Sequence, residues 1–309
     1  MKLKKPKFWD YKKPNVFAIL LLPLTIVIKL NNFFKFKKIN KYNNIKTICI
    51  GNIYVGGTGK TSLAIKLKEI LEKKQFKVCF IKKFYKNQVD EVRLLERHGK
   101  VFIKKKRTNA LMQAINEKYD IAIFDDGLQD KSITYDIRFV CFNGINWIGN
   151  GLLIPAGPLR ESIRSLKFYE NVILNGYNEN LDNIKNQIKS INYNINIFES
   201  KYVHLNNEIF NKNEKYIVFS GIGNHQTFLK MLKQQKFNIL KDLEFPDHYD
   251  YTDTDLNKIF NLSKQLNAHI ITTEKDFLRL DKSKTKNIQF IKSDLEIVET
   301  EEIIKTLIN

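Results

Sequence analysis

Cysteine, arginine and long uncharged runs are all scarce in this chain of 309 residues. The three cysteines, Cys49, Cys79 and Cys141, each fall within an apolar run that predicts a buried strand, and their spacing suits neither a metal site nor a redox motif. The sequence also lacks zinc-ligand spacing, a helix-turn-helix and an aromatic RNA-binding stripe. These absences argue against the common nucleic-acid modules and indicate a reduced, cytosolic protein.

Positive charge is in excess, because 52 lysines and arginines against 33 aspartates and glutamates give a formal net charge of +19. Such a charge favours a polyanionic partner, either nucleic acid or anionic lipid. Nearly all of it is lysine in a chain that is also rich in asparagine and isoleucine, so a compositional drift over the whole surface is the alternative explanation. Since no nucleic-acid module is present, we expect an anionic membrane surface as partner, no nucleic acid and no obligate protein partner.

The amino-terminal segment carries an uncharged stretch from Val16 to Ile28 between two groups of lysines. These are Lys2, Lys4, Lys5 and Lys7 before the stretch and Lys29, Lys35, Lys37 and Lys38 after it. At roughly 13 residues, with Pro23 inside it, the stretch is shorter than the ~20 residues of a transmembrane helix. Small residues suited to signal cleavage do not follow it. The stretch therefore predicts a helix lying in the membrane interface, or else an apolar helix packed on the protein's own core.

A glycine-rich loop between an apolar run and an amphipathic segment predicts a nucleotide site. The apolar run, residues 47–50, predicts a strand, and a helix is expected after the loop of residues 51–61. Glycines at such a place let backbone N–H groups surround phosphate oxygens at the start of a helix. Lys60 is expected on the β- and γ-phosphates of ATP, and the Thr61 hydroxyl on Mg²⁺. The predicted nucleotide-binding residues are Tyr54, Val55, Gly56, Gly57, Thr58, Gly59, Lys60 and Thr61.

A second apolar run, residues 119–124, ends in Asp125-Asp126-Gly127-Leu128-Gln129. Carboxylates at the carboxyl end of a parallel strand are well placed to hold Mg²⁺ beside the threonine of a P-loop. Asp125 and Asp126 are therefore predicted metal ligands together with Thr61. Gln129 is expected to orient a phosphate, a water or the second aspartate. The alternative is that Asp-Asp-Gly forms a plain turn.

The order of these elements resembles that of the tetraacyldisaccharide 4'-kinase family from end to end of the chain. The matching elements are Lys5-Pro6-Lys7-Phe8-Trp9, residues 51–61, Asp90-Glu91 with Leu94-Leu95, residues 125–129, residues 150–161, residues 219–224, residues 245–248 with Tyr251, and residues 272–276 with Arg279-Leu280. The resemblance implies transfer of the γ-phosphate of ATP to the 4'-hydroxyl of an acylated glucosamine disaccharide 1-phosphate, a lipid A precursor. It places this reaction at the cytoplasmic face of a bacterial inner membrane.

The family pattern also implies catalytic roles for Asp90, His248 and Lys60. Asp90 would be the base, and His248 would orient it or share its proton. Without the resemblance, Asp90 and Glu91 would be an acidic helix start that the helix dipole favours, and His248 a loop residue with a local role. Further candidates are Glu91, Gln129, Arg160 and Glu161. The arginine among them either clamps a phosphate or pairs with the glutamate that follows it.

The sequence departs from the family pattern in several places. Residues 82–86, Lys-Lys-Phe-Tyr-Lys, replace a Ser-Arg-Gly-Tyr-like turn, and Val89 and Val92 replace a glycine and a proline around the acidic pair. Tyr54 stands where the strict P-loop pattern has its first glycine, so the following pair of glycines must supply the flexibility. Ser62 and Tyr249 replace a proline and a second histidine, which leaves the proposed chemistry intact.

Alternating strands and helices predict an α/β fold of the P-loop NTPase type, with a mostly parallel sheet and helices on both faces. The predicted domains are a membrane-associating segment at 1–44, a P-loop kinase core at 45–205 and a smaller α/β lobe at 206–309 that closes the active-site cleft. In that lobe, strands are expected at 216–220 and 269–273, and helices near 225–236, 253–267 and 298–308. Two other functions would suit the same loop: a membrane-associated ATPase switch, or a kinase of a soluble sugar.

Overall fold

The computed structural model describes residues 5–26, 40–85, 89–176 and 181–308, apart from the side chains of two of them, Asn207 and Lys282. Several residues named in the sequence analysis lie outside the described ranges. They are Lys86, residues 27–28 at the end of the uncharged stretch, and six of the eight lysines that flank that stretch. Those six are Lys2, Lys4, Lys29, Lys35, Lys37 and Lys38.

Strands and helices alternate along the described chain. The strands are β1 Lys46–Gly51, β2 Val78–Lys83, β3 Val101–Lys104, β4 Ile121–Asp125, β5 Ile137–Asn143, β6 Asn171–Asn175, β7 Asn196–His204, β8 Lys215–Ser220, β9 Asn238–Glu244, β10 His269–Thr273, β11 Ile288–Ile291 and β12 Ser293–Ile297. The helices are α1 Val16–Leu20, α2 Lys60–Lys73, α3 Val89–His98, α4 Arg107–Asn116, α5 Leu181–Ile191, α6 His225–Gln234, α7 Asp253–Leu266, α8 Glu274–Phe277 and α9 Thr300–Ile308. Short 3-10 segments cover Lys7–Asp10, Ile163–Phe168, Asn207–Ile209 and Lys282–Lys284.

The chain divides into two compact units. Among the described residues, the larger unit comprises those within 5–84, 99–201 and 297–308, and the smaller unit those within 85–98 and 202–296. The division differs from the predicted domains in three main ways. The described residues of the segment predicted at 1–44 belong to the larger unit rather than to a domain of their own. Helix α3, which was assigned to the P-loop core, belongs to the smaller unit, and α9, which was assigned to the small lobe, belongs to the larger one.

The larger unit is built on a parallel sheet. Strands β7, β6, β5, β1, β4, β2 and β3 lie side by side in that order, and each neighbouring pair is parallel. The three cysteines are buried on β1, β2 and β5, as predicted, and burial raises the pKa of Cys79 and Cys141 to about 12. Runs such as Val78–Lys83 are almost continuously buried, which is typical of a strand covered on both faces. The predicted α/β fold of the P-loop type is confirmed.

The smaller unit contains a second parallel sheet, with the strand order β11-β10-β8-β9. Strands β8 and β10 and helices α6 and α7 lie where the sequence predicted them. Strand β9 was missed because its sequence, Asn-Ile-Leu-Lys-Asp-Leu-Glu, has no fully buried position. An edge strand of this kind carries charge on its exposed side and lacks the apolar alternation on which strand prediction depends.

The amino-terminal stretch is helical as far as it is described, with α1 followed by helical residues 22–26. The Asn15 side chain begins α1 by accepting a hydrogen bond from the Ala18 backbone N–H at 3.0 Å. Ala18 and Thr25 are buried, Leu21 and Leu22 are partly buried, and six of the larger apolar side chains are exposed. The exposed ones are Val16, Phe17, Ile19, Leu20, Leu24 and Ile26. Across the described ranges, no helix has the length and apolar character needed to cross a membrane.

Candidate active site

The glycine loop joins β1 to α2 in the larger unit, as predicted. Gly59 precedes the helix with a φ of 84°. This left-handed conformation is strained for residues with a side chain but not for glycine. The buried Asn52 side chain ties the loop together, because its Nδ2 donates to Thr58 Oγ1 at 3.0 Å and to the Gly56 carbonyl at 3.3 Å. The N–H groups of the first turn of α2 have no acceptor within the helix and are suited to bind phosphate oxygens.

Tyr54 holds the loop in place where a glycine was expected. Its side chain is buried, its hydroxyl donates to Asp10 Oδ1 at 2.6 Å, and Lys5 Nζ donates to the same hydroxyl at 2.6 Å. Burial and the bond to Asp10 raise the pKa of Tyr54, so the phenol is protonated at neutral pH. Next to it, the Val55 N–H donates to the Pro158 carbonyl at 2.8 Å. Tyr54 therefore fastens the loop to the amino-terminal 3-10 segment.

Asp125 ends β4 and lies beside the glycine loop. Thr61 Oγ1 donates to Asp125 Oδ2 at 3.2 Å, so the two residues predicted as metal ligands are neighbours. Lys82 Nζ, at the end of the adjacent β2, donates to the same Oδ2 at 2.5 Å. Neither the Lys82 nor the Asp125 side chain is accessible to solvent beyond 1%. Asp125 Oδ1 is buried and accepts no hydrogen bond from any group in the described part of the chain.

Asp126 adopts a left-handed backbone conformation, with a φ of 57°. Its Oδ1 accepts from Arg160 Nη1 at 2.9 Å and lies 3.8 Å from Lys60 Nζ. Its carbonyl accepts from Nη2 of the buried Arg107 at 2.5 Å. The next residue is Gly127, where a Cβ atom would lie 2.8 Å from Cys49 Sγ and would clash with it. Three cations thus surround Asp126, and one of them is the lysine of the glycine loop.

The remaining candidates of the larger unit form one chain of hydrogen bonds. Gln129 donates through Nε2 to Glu161 Oε1 at 2.9 Å and accepts at Oε1 from Arg160 Nη1 at 3.2 Å. Glu161 also accepts from the Tyr169 hydroxyl at 3.0 Å. The sequence left two alternatives for Arg160, a bound phosphate or an ion pair with Glu161. In the structure the arginine pairs with Asp126 instead of Glu161. Gln129 and Asp126 therefore share the Arg160 guanidinium as a donor.

The donor set of the larger unit fits a divalent cation that binds together with a nucleotide. Among the described residues, no group of three or more His, Cys, Asp or Glu side chains is arranged to hold a metal ion. Mg²⁺ in nucleotide sites needs only one or two protein ligands, because phosphate oxygens and waters supply the others. The buried Asp125 Oδ1, which lacks a donor within the described chain, and the nearby Thr61 hydroxyl match that requirement.

Asp90 and His248 meet within the smaller unit. Asp90 lies in the first turn of α3, and His248 lies in the loop after β9 with a φ of 55°, a strained conformation for a residue other than glycine. Nδ1 of His248 lies 3.0 Å from Asp90 Oδ1 and 3.1 Å from Oδ2. Its Nε2 lies 3.5 Å from Glu91 Oε1. The sequence separation of 158 residues gave no sign of this contact, and only the family resemblance pointed to it.

Two cations surround the Asp90 carboxylate. Arg279 donates to Oδ2 through Nη2 at 2.6 Å and through Nε at 3.1 Å, and Lys275 Nζ lies 3.5 Å from the same oxygen. Burial alone would raise the pKa of Asp90, but the hydrogen bond from His248 and the charges of Lys275 and Arg279 outweigh it. The pKa therefore lies well below the usual range, and Asp90 is ionised at neutral pH.

Sequence reasoning missed four charged residues of these sites: Lys82, Arg107, Lys275 and Arg279. Lys275 and Arg279 stood within elements that carried the family resemblance, but neither was given a role. Lys82 had a signal of its own, because it follows the apolar run 78–81 and a lysine buried in a strand needs a partner. Arg107 is the first residue of α4, where a cation faces the positive end of the helix dipole. This unfavourable position was the one indication in the sequence that the arginine has a specific partner.

These observations define the class of protein. A parallel sheet in which β1 leads into a glycine loop, and in which the adjacent β4 ends at a carboxylate bonded to the loop threonine, is the nucleotide site of a P-loop phosphotransferase or phosphohydrolase.

Comparisons with known proteins identify the family. The family model for tetraacyldisaccharide-1-P 4'-kinase (LpxK) matches residues 17–309. The tetraacyldisaccharide 4'-kinase of Pelagibacter ubique is 56% identical over 308 residues, covering 100% of this chain and 98% of that protein. The enzyme of Rickettsia typhi is 32% identical over 299 residues, with 91% of each chain covered. The crystal structure of LpxK from Aquifex aeolicus in complex with ATP shares the fold, with a TM-score of 0.69 and 23% identity, covering 94% of this chain and 98% of that one.

The chain belongs to the tetraacyldisaccharide-1-P 4'-kinase family, and it is a kinase of lipid A biosynthesis.

Proposed function

We propose that this chain transfers the γ-phosphate of ATP to the 4'-hydroxyl of a tetraacylated glucosamine disaccharide 1-phosphate. The names of the family and of its relatives support the substrate. The Aquifex aeolicus relative crystallised with ATP supports the phosphoryl donor. The observation that carries the proposal is the Asp90–His248 pair, because a proton acceptor of this kind serves a hydroxyl acceptor and has no evident use in a nucleotide switch.

The glycine loop binds the triphosphate in this proposal. Backbone N–H groups of residues 55–61 bind phosphate oxygens, and the Lys60 ammonium binds the β- and γ-phosphates. Thr61 and Asp125 would hold Mg²⁺, which would neutralise charge on the phosphates. Arg160, released from Asp126 or shared with it, neutralises the charge that develops on the transferred group. Most of the rate enhancement then comes from positioning and charge neutralisation.

The Asp90–His248 pair accepts the proton of the sugar hydroxyl. The resemblance implied Asp90 as the base, but Asp90 already accepts hydrogen bonds from His248 and Arg279 and has a lowered pKa, which makes it a weak base. Because an ionised carboxylate can only accept, Nδ1 of His248 carries the hydrogen of their bond and Nε2 is left as the basic atom. We infer that Nε2 takes the proton, while Asp90 orients the ring and stabilises the imidazolium.

The amino-terminal segment holds the enzyme at the lipid surface that contains its acceptor. Six apolar side chains between Val16 and Ile26 are exposed, and lysines flank the segment in the sequence. Apolar side chains can enter the acyl region while lysines bind anionic head groups. The proposed location is the cytoplasmic face of the bacterial inner membrane, where both ATP and a lipid-anchored acceptor are within reach.

Acceptor-dependent ADP formation tests this function against its rivals. The full chain is incubated with ATP and Mg²⁺ and with one of three additions. These are the tetraacylated disaccharide 1-phosphate in detergent micelles, glucosamine in the same micelles, or lipid vesicles without detergent. The proposal predicts ADP formation coupled to phosphorylation of the acylated disaccharide. ADP formation stimulated by vesicles alone would identify an ATPase switch, and phosphorylation of the free sugar would identify a soluble-sugar kinase.

A further inference from the structure

Lys82 is the most deeply buried cation beside the nucleotide site, and nothing above assigns it a function. It follows four buried apolar residues of β2, a position where an unpaired ammonium would be very costly. Its partner is Asp125 Oδ2 at 2.5 Å, and both side chains are at most 1% exposed. The ion pair therefore lies within the protein interior, at the carboxyl ends of two neighbouring parallel strands.

The two oxygens of Asp125 have different surroundings. Oδ2 accepts from both Lys82 Nζ and Thr61 Oγ1. Oδ1 is equally buried and has no donor within the described residues. A buried carboxylate oxygen without a donor is costly, so this oxygen is the one suited to meet a cation or a water of its coordination shell. Because Lys82 binds Oδ2, Oδ1 is the oxygen that remains for the cation.

The charge of Lys82 also acts on any cation at Oδ1. The ammonium neutralises much of the Asp125 charge and would repel a divalent cation bound a few ångströms away, because charges interact strongly at such distances in the protein interior. A nucleotide triphosphate brings enough negative charge to overcome that repulsion. Free Mg²⁺ brings none.

We propose that Lys82 is a positioning residue that makes divalent-cation binding at Asp125 depend on bound nucleotide. Lys82 holds Oδ2, leaves Oδ1 as the oxygen without a donor among the described residues, and prevents a bare cation from occupying the carboxylate. The enzyme consequently takes up its cation as the metal–nucleotide complex rather than as a free ion. This inference rests on the proposed roles of Thr61 and Asp125.

Cation binding without nucleotide tests the proposal. Mn²⁺ binding to the full chain in detergent is followed by electron paramagnetic resonance in the absence of nucleotide and lipid, for the wild type, Lys82→Met and Lys68→Met. Lys68 is a matched control, because it is a buried lysine with a carboxylate, Glu72, at 2.5 Å, on α2 of the same unit. We expect Mn²⁺ affinity to rise at least about tenfold in Lys82→Met and to stay unchanged in Lys68→Met, since only the first removes a cation from the site.

Thermal unfolding supplies a second readout that a purely structural role would not change. Removing one partner of a buried ion pair costs several kcal/mol, so Lys82→Met should lower the Tm by roughly 6 to 20 °C in metal-free buffer. Millimolar Mg²⁺ without nucleotide should restore much of that loss in Lys82→Met and change the wild type little. The double variant K82M/D125N should recover stability without responding to Mg²⁺, because it leaves no buried charge uncompensated.

Three results would overturn the proposal: tight Mn²⁺ binding by the nucleotide-free wild type, Lys82→Met binding no tighter than the wild type, or a Mg²⁺ response retained in K82M/D125N. If Lys82→Met does not fold, the wild type and K82M/D125N still decide. Since neither assay contains nucleotide or lipid acceptor, a negative outcome leaves the kinase assignment unaffected.

Discussion

Nδ1 of His248 lies 3.0 Å from Oδ1 of Asp90, across 158 residues of sequence and within one compact unit of the protein. Arg279 and Lys275 hold the same carboxylate, so the imidazole is positioned by a group that is itself fixed by two cations. In the proposed mechanism, the other ring nitrogen, Nε2, takes the proton of the sugar hydroxyl.

Substitutions of the pair should lower turnover more than nucleotide binding. We expect His248→Ala and Asp90→Asn to reduce kcat by about 10²- to 10⁴-fold, the usual contribution of a general base, and to leave the Kd for ATP within a few-fold of the wild type. Steady-state kinetics and equilibrium nucleotide binding measure the two quantities. His269→Ala, an exposed histidine of β10, is the control that should retain full turnover. An unchanged kcat in Asp90→Asn would remove the carboxylate from the mechanism.

The lowered pKa of Asp90 predicts a pH-dependent contribution to stability. A carboxyl whose pKa is lower in the folded protein stabilises the fold above its unfolded pKa of about 3.9, and that stability is lost as pH falls towards the folded pKa. The free energy of unfolding of the wild type should therefore exceed that of Asp90→Asn at pH 5, and the difference should shrink below pH 4, where the carboxyl of the unfolded chain takes up its proton. Urea unfolding at several pH values measures it. A difference that grows as the pH falls below 4 would mean that the pKa of Asp90 is raised.

Lys60→Ala should abolish transfer and weaken ATP binding strongly, because no other side chain is expected to take its place on the β- and γ-phosphates. Asp126→Ala should also abolish transfer, since it removes the carboxylate that faces both Lys60 and Arg160. Product formation and ATP binding are measured side by side. Lys66→Ala, on the same helix as Lys60, is the matched control and should leave both quantities unchanged.

Tyr54→Phe should lower the free energy of unfolding without abolishing nucleotide binding. The substitution deletes the hydroxyl that bonds to Asp10 and Lys5, and the loss of such a bond costs about 1 kcal/mol. Urea unfolding should show this loss, while the Kd for ATP changes only a few-fold because the loop glycines and Lys60 remain. A large loss of ATP binding with unchanged stability would instead place the tyrosine in the nucleotide site.

The exposed apolar side chains of α1 should determine binding to lipid. Phe17→Asp and Leu20→Asp place a charge on residues that are 66% and 70% exposed, so folding should be unaffected. Flotation with vesicles containing anionic lipid should show a loss of binding, since the apolar contact is replaced by a repelled charge. Leu205→Asp, at an exposed position of the smaller unit, should bind as the wild type does. Equal vesicle binding by all three variants would show that α1 does not mediate membrane binding.

Local patterns predicted the nucleotide site well because its parts are close in sequence or share one sheet edge. The glycine loop, the strand before it and the helix after it are consecutive, and Asp125 comes to Thr61 because β1 and β4 are adjacent parallel strands. The assignment of α3 to the smaller unit could not be predicted in the same way. The acidic start of α3 reads as an ordinary helix start, and its long-range partners Lys275 and Arg279 carry no pattern that points to Asp90.

Strands β9, β11 and β12 were missed for a related reason, since short strands with partly exposed side chains lack a strong period. Lys82 shows the opposite case. Its burial was foreseeable from the apolar residues before it, but its role depends on a carboxylate 43 residues away.

Transfer of labelled phosphate from ATP tests the central claim most directly. The full chain is incubated with γ-labelled ATP and the tetraacylated disaccharide 1-phosphate in detergent micelles, and the position of the label in the product is determined. We predict an acylated disaccharide 1,4'-bisphosphate that carries the label only at the 4' position, and none with Lys60→Ala. Label released as inorganic phosphate at the same rate with and without the disaccharide would contradict the account.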